Sequence, residues 1–192
     1  MIYHHLQALS KLSSQYKVNN VFLHGKYLVE DFLPFIDQVI DQFDFTIEYI
    51  QEEDVASLRT GIPALYKHKQ KIMKDHPAFI FVMNCDICSS FPLYDMLEFN
   101  QQIQAKGREA LLTIMTTNDE SVKNHERGSF NKDPETQEMI HYTEGGKITN
   151  LTVNCGVYLC SVKLFDDREF IKSLKLKEYA TNMAQQRAKL AK

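Results

Sequence analysis

Hydrophobic residues along the first 117 positions alternate between two spacings, one typical of helices and one typical of strands. Ile2, Leu6 and Leu9 recur at helical steps, whereas Ala78 to Met83 is a continuous apolar run that indicates a central strand covered on both faces. Helices are predicted near residues 2–12, 30–43, 63–75 and from 92 onward, and strands in NNVFLHG, FTIEYIQ, AFIFVM and EALLTIMTT. Strands separated by helices of about 10–15 residues are typical of right-handed βαβ units. The pattern therefore predicts an α/β fold with a Rossmann-like, doubly wound and mostly parallel sheet.

The pattern changes after Thr117, where a polar stretch runs to Asn150. Within it, KDPETQ is a turn signal between two short strand candidates, which predicts a hairpin. LTVNCGVYLC then returns to a buried strand, and SVKLFDDREFIKSL is typical of a helix with Ser161 as its cap. We expect residues 1–174 to form one partial domain and residues 175–192 to form a helical or frayed tail.

Composition and charge narrow the function classes. The chain has 192 residues, 44% of them hydrophobic and 24% charged, with a formal net charge of -3, so no basic field indicates a nucleic-acid partner. The longest apolar run is far shorter than the roughly 20 residues that a membrane span needs. The N-terminus has neither a basic leader nor a long apolar segment. These features predict a soluble cytoplasmic protein without a membrane or nucleic-acid partner.

Four cysteines raise the question of a metal site: Cys85, Cys88, Cys155 and Cys160. The spacing Cys85-x-x-Cys88 is compatible with zinc. Cys155 and Cys160, however, lie five residues apart on a predicted strand and therefore on opposite faces. These two thiolates cannot easily share one tetrahedral ion, so small buried thiols are favoured over a structural zinc site.

Three polar residues fall where predicted strands end or are interrupted. Asp86 follows the AFIFVM run, Glu144 ends MIHYTE, and Asn154 interrupts an otherwise apolar strand. In doubly wound sheets ligands bind outside the carboxyl ends of the strands, and an aspartate there is a natural ligand for Mg²⁺ in phosphate chemistry. The alternative, a solvated aspartate at the wet end of a strand, stays open on these residues alone.

A second candidate lies in the polar loop EEDVASLRTGIP. Thr60 and Gly61 precede a predicted helix, whose amide groups can face an anion or the edge of a base. An ordinary loop with a helix cap is the alternative interpretation.

Longer blocks resemble a known family. PAFIFVMNCDICSSFPLYDMLEF, ETQEMIHYTE and LTVNCGVYLCS resemble the sugar-1-phosphate nucleotidyltransferases, and among them the GDP-mannose pyrophosphorylases of the alpha, regulatory type. The resemblance extends from Met1 to about Leu174. It implies a reaction in which a sugar-1-phosphate attacks a nucleoside triphosphate and releases pyrophosphate, with Mg²⁺ as cofactor. It also implies site roles: Asp86 as the catalytic, magnesium-binding residue, Thr60 and Gly61 at the nucleotide, and Glu144, Asn154 and Gly156 at the sugar.

The sequence departs from the family pattern at several points. Family members have a strand and a Gly-rich phosphate loop before the helix on which Met1 opens here. The base-binding loop reads RTGIP, and a Glu-Lys-Pro motif is replaced by Glu144-Gly145-Gly146, without its lysine. A second metal-binding aspartate and the C-terminal β-helix domain have no counterpart, so the resemblance is to a family member truncated at both ends.

Two functional expectations follow from the resemblance. One is an enzyme that joins GTP and mannose-1-phosphate into GDP-mannose. The other is a non-catalytic regulatory subunit that binds the nucleotide sugar and acts through a catalytic pyrophosphorylase subunit in an oligomer. The lost phosphate-binding groups favour the second, because removing even one charge-stabilising contact commonly costs about 10²–10³ in rate. A further interpretation is that the chain is a piece of a longer protein.

Overall fold

The computed structural model describes residues 1–12, 15–25, 28–51, 62–118, 128–143 and 152–173. The α-helices among them include α1 (Ile2–Leu12), α2 (Val29–Val39), α3 (Ile62–Lys67), α4 (Lys69–Ile72) and α5 (Leu93–Ala105), and residues 168–173 are also helical. The seven strands described are β1 (Asn20–Gly25), β2 (Thr46–Gln51), β3 (Phe79–Met83), β4 (Leu112–Thr117), β5 (Ser129–Lys132), β6 (Met139–Thr143) and β7 (Thr152–Ser161). The predicted tail, residues 175–192, lies outside the described residues. Each of the four strands predicted before Thr117 is present, and helices lie where the helical spacing of apolar residues predicted them.

The strands form two sheets. In the first, β1 and β2 pair in parallel. In the second, β7 pairs antiparallel with β3, β4 and β5, and β6 pairs antiparallel with β5. Val153 pairs with Thr117 of β4 and with Ser129 of β5, so these two strands lie on opposite edges of β7. The central strand is therefore β7, with β3 and β4 running in one direction on its two sides.

This topology refines the predicted fold class. The mixed α/β class is confirmed, but among the described pairings only β1–β2 has the parallel sense that was expected of most of the sheet. Alternation of apolar residues is the same for a strand of either direction, so the sequence pattern does not reveal that β7 enters antiparallel between β3 and β4. No described pairing joins the two sheets, so the doubly wound arrangement stays a prediction.

One buried core connects the two sheets. It includes Leu6 of α1, Ile47 of β2, Met96 of α5, and Val157 and Leu159 of β7. Leucines at helical spacing on α1 face this core, as the sequence pattern indicated. The three longest helices thus cover sheet surfaces that would otherwise expose apolar side chains.

The segment expected to be the central covered strand, β3, lies in a more open position. All five of its residues are half-buried, as are all six residues of β1. Among the described strands, β3 pairs only with β7 and β1 only with β2. Phe79, Phe81 and Met83, which share one face of β3, pack against the core, but no residue of the strand is fully buried, so the expected coverage of both faces was wrong for β3. In β7, by contrast, Val157 and Leu159 are fully buried.

The predicted hairpin in the polar stretch is confirmed by the β5–β6 pair. At its turn, one carboxylate oxygen of Asp133 accepts hydrogen bonds from the backbone N–H groups of Thr136 and Glu135, both at 2.8 Å. These amides, with a smaller contribution from nearby Arg108, hold the pKa of Asp133 below its usual value. Arg108 also forms an ion pair with Glu138, which ties the hairpin to the loop before β4.

No helix among the described residues is long and apolar enough to cross a membrane.

We expect Leu159→Ala to lower the free energy of unfolding by about 2–5 kcal/mol, because it opens a cavity in the central strand. Ile140, an aliphatic strand residue that is 64% exposed, provides the control, and Ile140→Ala should cost less than about 1 kcal/mol. Urea denaturation of the two variants measures both values. Equal costs would contradict the central position of β7.

Candidate functional site

The turn that follows β3 carries the predicted residue Asp86 and is anchored on β7. The backbone N–H of Asn84 donates to the carbonyl oxygen of Gly156 at 2.9 Å, which extends the β3–β7 ladder by one residue. Beyond it, residues 84–86 and Cys88 are exposed, whereas Ile87 is half-buried. Asp86 therefore lies in solvent at the carboxyl end of β3, as the sequence predicted.

Two adjacent histidines of α1 hold the same turn. The Nε2 atom of the buried His5 lies 3.0 Å from the carbonyl oxygen of Asn84, and the Nε2 atom of His4 lies 3.0 Å from that of Ser89. A carbonyl oxygen only accepts hydrogen bonds, so His4 donates through Nε2. In His5 the Nδ1 atom also lies 3.0 Å from a carbonyl oxygen, that of Met1, so the carbonyls of Met1 and Asn84 share this ring as their donor. The contacts of these two histidines define a structural role: they attach the turn to the first helix. Their position beside Asn84 could not be read from the sequence, because it depends on how α1 docks.

β7 is irregular where the turn meets it. Between its pairs with β4, β7 advances four residues from Asn154 to Tyr158 while β4 advances only two, from Ile114 to Thr116. Gly156 lies within this bulge at a φ of +68°, a conformation that L side chains rarely adopt. The bulge is the reason that glycine is needed at this position.

The side chain of Asn154 spans the bulge. Its Oδ1 atom accepts a hydrogen bond from the N–H of Gly156 at 2.8 Å, and its Nδ2 atom donates to the hydroxyl of Tyr158 at 2.7 Å. These bonds explain why an amide interrupts an apolar strand. In this structure Asn154 shapes the backbone of β7 at the point where the turn approaches.

Gly156 is also a point of close approach. A Cβ atom at this position would lie 2.5 Å from Cδ1 of Ile87 and 2.6 Å from Nδ2 of Asn84. The structure therefore brings the turn with Asp86 next to Gly156 and Asn154. The other predicted site residues, Thr60, Gly61 and Glu144, lie outside the described residues.

Within the described residues, no group of three or more His, Cys, Asp or Glu side chains converges in a way that would hold a metal ion. Asp86 supplies one exposed carboxylate. Mg²⁺ in phosphate sites is usually bound through one or two carboxylates together with phosphate oxygens and water. Asp86 alone therefore does not form a cage for a free ion.

The four cysteines differ in exposure. Cys160 is buried and Cys155 is half-buried, but Cys85 and Cys88 are exposed, and none of the four is in a disulfide. The expectation of small buried thiols is thus wrong for Cys85 and Cys88, because the turn carries both side chains past the end of the sheet. Burial raises the pKa of the Cys160 thiol to about 12, so this thiol stays protonated at neutral pH.

Relatives with curated names match most of the chain. It is 37% identical over 168 residues to the mannose-1-phosphate guanylyltransferase regulatory subunit alpha of Dictyostelium discoideum, a match that covers 86% of this chain and 38% of that protein. The regulatory subunit alpha of Xenopus tropicalis is 34% identical over 167 residues, with 86% and 38% covered. A probable mannose-1-phosphate guanyltransferase of Schizosaccharomyces pombe is 33% identical over 171 residues, with 87% and 38% covered.

The chain thus spans about 38% of the length of the curated relatives that it matches. These matches confirm the resemblance on which the sequence prediction was based. No protein-family model matches the chain.

Solved structures agree on the fold. HddC from Yersinia pseudotuberculosis superimposes with a TM-score of 0.58 at 20% identity, covering 86% of this chain and 64% of that one. A second structure of HddC, complexed with GMP-PN, gives a TM-score of 0.57 at 21% identity, with 84% and 64% covered. At this level of identity the likeness shows a shared fold and nothing more.

We expect Gly156→Ala to disturb the turn that carries Asp86, because the new methyl group displaces the side chains of Asn84 and Ile87. Gly107 is a matched control: its φ is +73°, but a Cβ atom there has nothing within 4 Å. Both variants should lose about 1–2 kcal/mol of unfolding free energy from backbone strain. Only Gly156→Ala should also shift the amide resonances of residues 84–88. Identical behaviour of the two variants would contradict the close approach.

Proposed function

Because the chain is homologous over most of its length to the alpha regulatory subunits of mannose-1-phosphate guanylyltransferase, we propose that it is a regulatory protein of GDP-mannose synthesis. In this proposal it binds the nucleotide sugar and modulates a catalytic guanylyltransferase subunit within a cytoplasmic hetero-oligomer. The names of the relatives carry the proposal. The replacement of a lysine by Gly145 in the segment that resembles a sugar-phosphate motif supports a binding role over a catalytic one.

The ligand in this proposal lies over the turn at the carboxyl end of β3. Asp86 faces the phosphates through Mg²⁺, which neutralises phosphate charge when bound. Thr60 and Gly61 contact the nucleotide, and Glu144 contacts the sugar. Asn154 and Gly156 lie on the sugar side of this site: Asn154 holds Gly156 in the bulge, and the glycine leaves room for the side chains of Asn84 and Ile87, so that the turn with Asp86 packs closely on β7.

We extend the proposal to the fold: the two described sheets are parts of one doubly wound sheet. Two observations support this. Ile47 of the first sheet and Val157 of the second pack in the same core, and β3 and β4 run in the same direction on the two sides of β7. Ligand binding beyond the carboxyl ends of β3 and β4 is the arrangement expected of such a sheet.

A second candidate function is catalysis by the chain itself, which joins GTP and mannose-1-phosphate with release of pyrophosphate. Two observations favour it. Asp86 is exposed at a strand end, where it can meet a nucleotide phosphate. One relative, from Schizosaccharomyces pombe, is named a probable mannose-1-phosphate guanyltransferase rather than a regulatory subunit.

Calorimetry with the full chain tests the proposal. We expect GDP-mannose to bind in the presence of Mg²⁺, and Asp86→Asn to weaken that binding by about 10-fold or more, because a charge-mediated contact is lost. Asp37→Asn removes another exposed carboxylate, on α2, and should leave the affinity unchanged. Failure of GDP-mannose to bind at millimolar concentration would overturn the proposed function.

A pyrophosphate-release assay with GTP and mannose-1-phosphate separates the two candidates. The regulatory proposal expects binding of GDP-mannose without turnover by the isolated chain. Turnover that is abolished by Asp86→Asn, but not by Asp37→Asn, would instead establish catalysis.

A further inference from the structure

Cys85 and Cys88 are the first and last residues of a short exposed loop whose base is held by α1. The residue before the loop, Asn84, offers its carbonyl oxygen to His5, and the residue after it, Ser89, offers its carbonyl oxygen to His4, each at 3.0 Å. The two histidines are neighbours in the sequence. The four residues between the anchors therefore project from a fixed base.

The two imidazoles share a packing partner. Both rings pack on the same side chain, Phe91, with ring centroids 4.6 Å away for His5 and 5.3 Å away for His4. Phe91 is itself buried and takes a positive φ of 46°, and its N–H donates to the hydroxyl of Ser89 at 3.1 Å. These contacts fix the chain just after Cys88 beside the two histidines.

Such a loop places two exposed thiols at its two ends, with Asp86 between them. A disulfide needs Cα atoms about 4.4–6.8 Å apart, a range that is available to residues three positions apart when the chain turns. The structure assigns a turn to residues 85 and 86. By contrast, Cys155 and Cys160 both lie within β7. Cys160 is buried and therefore serves as an internal control, a thiol that reagents in solution do not reach easily.

We propose that Cys85 and Cys88 form a reversible intramolecular disulfide that restrains the turn carrying Asp86. The oxidant is a small disulfide such as oxidised glutathione. One cysteine sulfur attacks the glutathione disulfide, which forms a mixed disulfide and releases one glutathione. The second cysteine sulfur then attacks the first and releases the other glutathione. Two thiols lose two electrons and two protons, and one glutathione disulfide becomes two glutathione thiols.

The bridge encloses Asp86 in a small ring and changes the directions open to its carboxylate. Exposed disulfides of this kind are the labile, regulatory ones, whereas buried structural bridges resist reduction by glutathione. The expected loss of nucleotide-sugar affinity rests on the proposed function. The formation of the bridge and the change in the turn do not depend on that function.

Mass spectrometry of the full chain in glutathione redox buffers tests the inference. After free thiols are trapped by alkylation, we expect a Cys85–Cys88 bridge that reverses with a thiol reductant, while Cys160 stays free and is alkylated at least about 10-fold more slowly in the native chain. Cys88→Ser should carry only a glutathione adduct on Cys85. Separate glutathione adducts on Cys85 and Cys88 of the parent chain, or bridges between chains, would overturn the inference.

A comparison with the unfolded chain tests the role of the loop base. In concentrated urea the histidine contacts are lost, so the equilibrium constant for closing the bridge should fall at least about 10-fold relative to the native chain. Amide resonances of residues 84–88 should shift on oxidation of the native chain but not of Cys88→Ser. An equal constant in urea, or unshifted resonances, would contradict a restraint built by the fold.

Calorimetry then separates this inference from the proposed function. Oxidation should weaken GDP-mannose binding by about 10-fold or more in the parent chain and should have no effect on the affinity of Cys88→Ser. If the reduced chain binds no GDP-mannose, the proposed function fails, and the mass and resonance measurements still decide whether the bridge exists. A bridged chain with unchanged turn resonances overturns the inference.

Discussion

The pairing of β7 with three other strands is the constraint on which the rest of the structure depends. Strand β7 lies between β3 and β4, and its amino end also pairs with the β5–β6 hairpin. Val157 and Leu159 within it are fully buried and connect the sheet to the helices through the shared core. Burial of each such side chain contributes about 1.5–3 kcal/mol. Displacement of β7 would also leave β3, β4 and β5 without their common partner, and β6 is attached to the sheet through β5.

The same strand also forms the candidate site, and it does so by departing from regular geometry. A glycine and a bulge in a central strand weaken its pairing, yet here they occur beside the turn with Asp86. The side chain of Asn154 offsets part of that cost by satisfying the N–H of Gly156 and the hydroxyl of Tyr158. Local irregularity that the surrounding structure holds in place is typical of functional sites.

The site is further connected to the first helix. His4 and His5 attach the two ends of the Cys85–Cys88 loop to α1, and Phe91 packs against both rings before α5 begins. A movement of α1 would therefore be transmitted directly to Asp86 through two hydrogen bonds.

The sequence by itself determined the order of helices and strands, the hairpin at KDPETQ and the position of Asp86 at the end of a strand, because hydrophobic periodicity and turn residues act over short distances. It also carried the family resemblance, which the relatives confirm. Only the tertiary structure decided that β7 is the central strand, that β3 is half-exposed, and that Asn154 is bonded across a bulge. Strand direction, docking of α1 and the approach of the turn to Gly156 depend on contacts between residues far apart in the chain, and no local pattern encodes them.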